Sequence, residues 1–77
     1  MTLIYDNEPR NKEIVKMMQS AIKSNYKVVI WPNTIGQKDI NEMIMSGMSK
    51  EEIQSTISNN TFSGLEAQTK LIFWKKL

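Results

Sequence analysis

The chain has 77 residues, a formal charge of +2, 40% hydrophobic and 23% charged residues, which is the balance of one small folded domain rather than of a disordered segment. It has no Cys and no His, which excludes disulfides, Cys/His zinc sites, Cys nucleophiles and His general bases. The charge is too mild to mark a nucleic-acid binder by itself. No apolar run approaches the ~18 residues of a membrane span and no leader pattern opens the chain, so the expectation is a cytoplasmic protein without a membrane partner.

The first run, Thr2 to Tyr5, is short and apolar and reads as a buried strand, stopped by Asn7 and Pro9. Asn11 suits an N-cap for a helix from Lys12 to about Ser24, with Glu13 near its positive end. Ile14, Met17, Met18, Ala21 and Ile22 recur at three- and four-residue spacing and predict one packed stripe. Asn25 is the expected stop. Lys27 to Trp31 is a second strand whose continuous apolar run, Val28-Val29-Ile30, predicts cover on both faces.

After the loop of Pro32, Asn33 and Gly36, Asp39 caps a short predicted helix carrying Ile40, Met43 and Ile44, ended by Gly47. Ser49-Lys50-Glu51-Glu52 is a capping box for the next helix, with Ile53 and Ile57 on one face and Asn59-Asn60 as its end. Ser63-Gly64-Leu65-Glu66 has the same form and opens a last helix, with Leu65, Leu71, Ile72 and Trp74 available to pack. The predicted fold class is α/β: a βαβ unit with parallel strands, followed by short C-terminal helices. One domain, 1–77, divides into the βαβ unit with its acidic rim (1–47) and the C-terminal helices (48–77). Two strands do not make a stable sheet alone, so the chain is expected to associate or to form part of something larger.

In a parallel βαβ unit the C-terminal strand ends share one rim, where open α/β sheets place their ligands. That geometry would bring Asp6, Glu8 and Asp39 together, and close carboxylates call for a hard cation. The three are therefore the candidate metal ligands, with Mg²⁺ as the cofactor. Each also has a plainer reading, Asp6 and Glu8 as an acidic turn and Asp39 as a helix cap. Arg10 and Lys38 lie beside the acids as candidate phosphate or nucleic-acid contacts, or simply as solvated cations. The six Met suit core filling better than an adaptable surface. Trp74 with Lys75 and Lys76 suits a hydrophobic anchor at a helix end, or a base stack.

The arrangement resembles the C-terminal half of a Toprim domain, the metal-binding module of bacterial-type primases and topoisomerases. In that family a strand ends in Asp-x-Asp, a helix crosses over, and a second strand leads to a loop with another acid. Asp6-Asn7-Glu8 stands at the Asp-x-Asp, with Glu replacing the second Asp. Val28-Val29-Ile30-Trp31-Pro32 followed by Lys38-Asp39-Ile40-Asn41 resembles the strand and Lys-Asp loop of primases. Together with Asn60-Thr61-Phe62-Ser63-Gly64-Leu65-Glu66-Ala67, the pattern is similar to the DNA primases of T-even-type bacteriophages over nearly the whole chain.

The resemblance implies a partial primase that contributes Mg²⁺-binding carboxylates to RNA primer synthesis in the bacterial host, with nucleic acid and nucleotides as partners. The family's general acid or base, a Glu on an earlier strand, has no counterpart in the sequence, so no catalytic residue is assigned and the chain is expected to be inactive alone. Self-association, or a partner supplying the N-terminal half, would complete it. The rival expectation is a non-catalytic α/β interaction or regulatory subunit of phage origin.

Overall fold

The computed structural model describes residues 2–76. Its sheet has three strands in the order β1-β2-β3: β1 (Thr2–Leu3), β2 (Lys27–Val29) and β3 (Thr61–Phe62). β1 runs parallel to β2, with Thr2 opposite Lys27 and Leu3 opposite Val28. Between them lies helix α1 (Lys12–Lys23), the crossover that a parallel pair requires. α2 (Ile40–Met45), α3 (Lys50–Asn59) and α4 (Gly64–Trp74) follow. The class is mixed α/β, with a parallel βαβ unit and C-terminal helices.

β3 is an addition to the expected order. It pairs antiparallel to β2, with Val28 opposite Phe62 and Val29 opposite Thr61. Two residues carry no readable alternation, and Asn59-Asn60 reads as a helix end, so nothing local announces the strand. Its existence depends on a partner more than 30 residues away. Both strands of the βαβ unit also end earlier than expected. Ladder bonding beyond them gives way to separate contacts: the Ile30 N–H donates to the Asn60 carbonyl (2.9 Å), and the Trp31 indole N–H donates to the Tyr5 carbonyl (2.9 Å).

β2 is the centre of the molecule. Its side chains alternate, so Val28 and Ile30 enter one core with Met18, Ala21, Ile22, Ala67 and Leu71. Val29 and Trp31 enter a second core with Met43 and Ile53. α1 and α4 therefore cover one face, and α2 and α3 the other. This is the two-sided burial that the continuous apolar run demands.

The caps hold most helices where the sequence places them. Asn11 Oδ1 accepts from the Glu13 and Ile14 amides, and Asn25 leaves α1 with φ 66°, the left-handed stop. Ser49 and Glu52 form the full capping box of α3. Ser63 does not cap α4 with its hydroxyl. Gly64, the first residue of that helix, has φ +59°, a left-handed entry unlike the ordinary approach of a capping box.

The packed stripe of α1 holds at Met18, Ala21 and Ile22, whereas that of α4 is turned from expectation. On α1, Val15 is buried while Met17 is 44% exposed. On α4, Ala67 and Leu71 are buried, whereas Leu65 and Ile72 are 78% and 62% exposed. Ala67, at zero exposure, packs in the core with Val28 and Ile30.

Candidate functional site

The C-terminal ends of the two parallel strands open into loops that meet at Asn7. A tight turn forms there, with the Glu8 N–H donating to the Asp6 carbonyl (2.8 Å). The Asn7 N–H donates to the Lys38 carbonyl (2.6 Å), and its Nδ2 donates to the carbonyls of Ile35 (2.9 Å) and Gln37 (3.0 Å). Its Oδ1 accepts from the Trp74 indole N–H (3.3 Å). One side chain thus ties the loop after β1 to the loop after β2 and to the end of α4.

This junction brings Glu8 and Lys38 together. Glu8 Oε1 lies 3.7 Å from Lys38 Nζ, and its Oε2 accepts from Asn11 Nδ2 (2.7 Å). Asp39 follows Lys38 in the chain, but its Oδ1 is occupied by the Glu42 amide (2.8 Å), as the N-cap of α2. Glu42 in turn accepts from the Lys38 N–H (2.9 Å). Asp6 and Arg10 are exposed, and neither side chain has a hydrogen bond or ion pair among the described residues.

Magnesium takes oxygen ligands in a near-octahedral shell and keeps several waters. The rim segments converge, yet among the described residues no three acidic side chains gather into a group that could hold a metal ion. Glu8 is spread over a lysine and an amide, and Asp39 is spent on a helix. As placed among the described residues, these donors do not by themselves form a complete metal centre.

Beside the acids, on the far side of Asn7, lies an open cleft of about 600 Å³. Its floor is the chain leaving β2, Ile30 to Pro32, and Asn60 and Phe62 form one wall. α4 supplies Lys70, Phe73 and Trp74, which share a helix face through their three- and four-residue spacing. The segment after α4 adds Lys76, held there by its N–H donating to the Pro9 carbonyl (2.8 Å). Lys70 Nζ stands 5.2 Å from the Phe62 ring centre, within cation–π range. Among the described residues, two lysines and no carboxylate line the cleft.

Asn7, Phe62, Lys70 and Phe73 are the residues that sequence reasoning leaves without a functional assignment. The i, i+3, i+4 pattern of Lys70, Phe73 and Trp74 is the signal that could have pointed to them.

The site thus combines a parallel strand pair, an acid–lysine rim at the strand ends and a cleft lined by lysine and aromatic side chains. No protein-family model matches the chain. The chain is similar to the DNA primase of Enterobacteria phage T4, at 32% identity over 76 residues. The match takes in 96% of this chain and 22% of the primase, so the chain spans about a fifth of the length of that curated relative. Among the described residues, no helix is long and apolar enough to cross a membrane.

Proposed function

We propose that this chain is a primase-type module, corresponding to the C-terminal half of a Toprim domain, that serves RNA primer synthesis. The observation that carries the proposal is the junction at Asn7. There the Asp6-Asn7-Glu8 turn is bonded to the loop of Lys38 at the C-terminal end of a parallel strand pair, in a chain similar to a phage primase along nearly all its length. Nucleic acid and nucleotides are the partners, with Arg10 and Lys38 as phosphate contacts.

Because the acids here do not form a closed metal-holding group, Asp6, Glu8 and Asp39 act as part of a Mg²⁺ site that carboxylates from outside this chain complete. The 77-residue chain alone accordingly makes no primers. Strands that complete the sheet would add at β1, whose outer side has no partner among the described residues.

Exchanging this chain for the matching segment of the phage primase tests the reading. The chimera is expected to synthesise primers with template, Mg²⁺ and ribonucleotides, and to lose that activity when Asp6→Asn and Glu8→Gln are combined.

A second reading has one observation in its favour, the structural use of Glu8 and Asp39 as ion pair and helix cap. In that reading the chain is a non-catalytic interaction module. A folded chimera whose primer synthesis survives the two substitutions would establish it in place of the first.

A further inference from the structure

We propose that the cleft beside Asn7 binds single-stranded nucleic acid, with a base stacked on Phe73 and phosphates on Lys70 and Lys76. Phe73 lines the cleft yet is 83% exposed. A large aromatic ring held open to water beside cations is the pairing that sequence-tolerant single-strand binders use. The neighbouring Trp74 ring is fixed by its indole bond to Asn7. Among the described residues the lining has two cations and no carboxylate, so its charge complements a phosphodiester chain.

The volume, about 600 Å³, is on the scale of a small-ligand cleft, of the order of 300–1,000 Å³. It suits one or two nucleotides and is too small to seat a duplex. The acids themselves do not line the cleft: Asn7 and Pro9 do, whereas Asp6 and Glu8 do not. A strand held here would run past the Glu8–Lys38 rim without contacting the carboxylates.

The inference deepens the proposed primase role by naming a ligand, and it can fail separately. If the strand binds while the chimera makes no primers, the primase reading falls and the cleft stands. If the chimera works and the strand does not bind, the reverse holds.

The test is fluorescence anisotropy of the full chain with a labelled oligothymidylate of about 12 nucleotides, within the site sizes of single-strand binders. Phe73→Ala is expected to weaken binding about tenfold, as loss of one base stack does, while Phe73→Tyr stays within about twofold. Phe73 is exposed, so neither change disturbs the core, and thermal unfolding at the wild-type temperature verifies that. Replacing Lys70 and Lys76 together by Ala should reduce the slope of log affinity against log salt by about 1.4, from two phosphate contacts at about 0.7 each.

Both tryptophans line the cleft, Trp31 buried in its floor and Trp74 at the end of α4, so bound oligonucleotide should change tryptophan emission. Absence of binding, or wild-type affinity in Phe73→Ala, overturns the proposal. So does equal affinity for the duplex, for a polyglutamate peptide, or for thymidine triphosphate alone; the last would assign the cleft to a free nucleotide.

Discussion

Asn7 makes more long-range bonds than any acid on the rim, and it sits between two of them. Its carboxamide donates to two backbone carbonyls and accepts from an indole. Removing it leaves those part-buried groups without partners, at roughly 1 kcal/mol or more each. Asn7→Ala is therefore expected to cost about 2–4 kcal/mol, read as a lower urea midpoint at unchanged slope. A loss below about 0.5 kcal/mol would show that water replaces all three bonds. Nothing in Asp6-Asn7-Glu8 read alone reveals this role, because the partners lie 28 to 67 residues away. Asn is a common turn former, and turn former is as far as local chemistry reaches.

Glu52 shows the opposite case, a role legible from four consecutive residues. The Ser49 N–H donates to its Oε1 (3.0 Å), and its own amide donates to Ser49 Oγ (3.1 Å). Hydrogen bonding first to the backbone and then to the side chain of Ser49 holds its carboxyl below the ordinary value of 4.5. A carboxyl depressed on folding adds stability above its unfolded pKa, and that stability is lost as pH falls through the folded value. The melting-temperature gap between wild type and Glu52→Gln should be constant above pH 4.5 and close at lower pH. A gap independent of pH would mean the carboxylate charge plays no part in the cap.

At the scale of elements, α1 and α3 follow their sequence signals, and α4 departs from them. The expected face of α4 relied on its largest apolar residues, yet Leu65 and Ile72 face water and Ala67 lies at zero exposure. Size is a poor guide to the buried face here, since the small Ala67 packs in the core with Val28 and Ile30. Ala67→Leu is accordingly expected to destabilise by about 1–3 kcal/mol through overpacking. Leu65→Lys should stay within about 0.5 kcal/mol. Chemical denaturation of the pair distinguishes them, and equal effects would mean that α4 can rotate to bury its other face. β3 was illegible for a related reason. Thr61 and Phe62 have strand-forming side chains, but only Val28 and Val29 give them a ladder.

For the whole molecule, the parallel pairing and the two-sided cover of β2 were both readable from the order and continuity of the apolar runs. What the runs leave open is the outer surface. Ile44, Met45, Leu65 and Ile72 are all more than half exposed, and β1 offers an unpaired outer edge among the described residues. A small core supplies about 3–5 kcal/mol at this chain length, so burial of these groups by association is worth much to stability. Sedimentation velocity across a concentration series is expected to show a species heavier than the 8.9 kDa monomer, with a dimer the simplest closed form. A single monomeric boundary at all concentrations would dispose of this expectation.

The bond between Asn7 and Trp74 spans 67 residues, and that span has a kinetic meaning. Contacts of such separation carry a high loop-closure cost and form only after the elements between them are in place. The Asn7 bonds should therefore be absent from the folding transition state while contributing fully to the native state. An interaction of that kind governs how fast the molecule opens rather than how fast it forms. In stopped-flow experiments Asn7→Ala is expected to leave the refolding limb unchanged and to raise the unfolding rate by the whole of its equilibrium effect. Slowed refolding would place Asn7 in the nucleus instead. On this account the rim and the neighbouring cleft are the last parts of the molecule to assemble and the first to come apart.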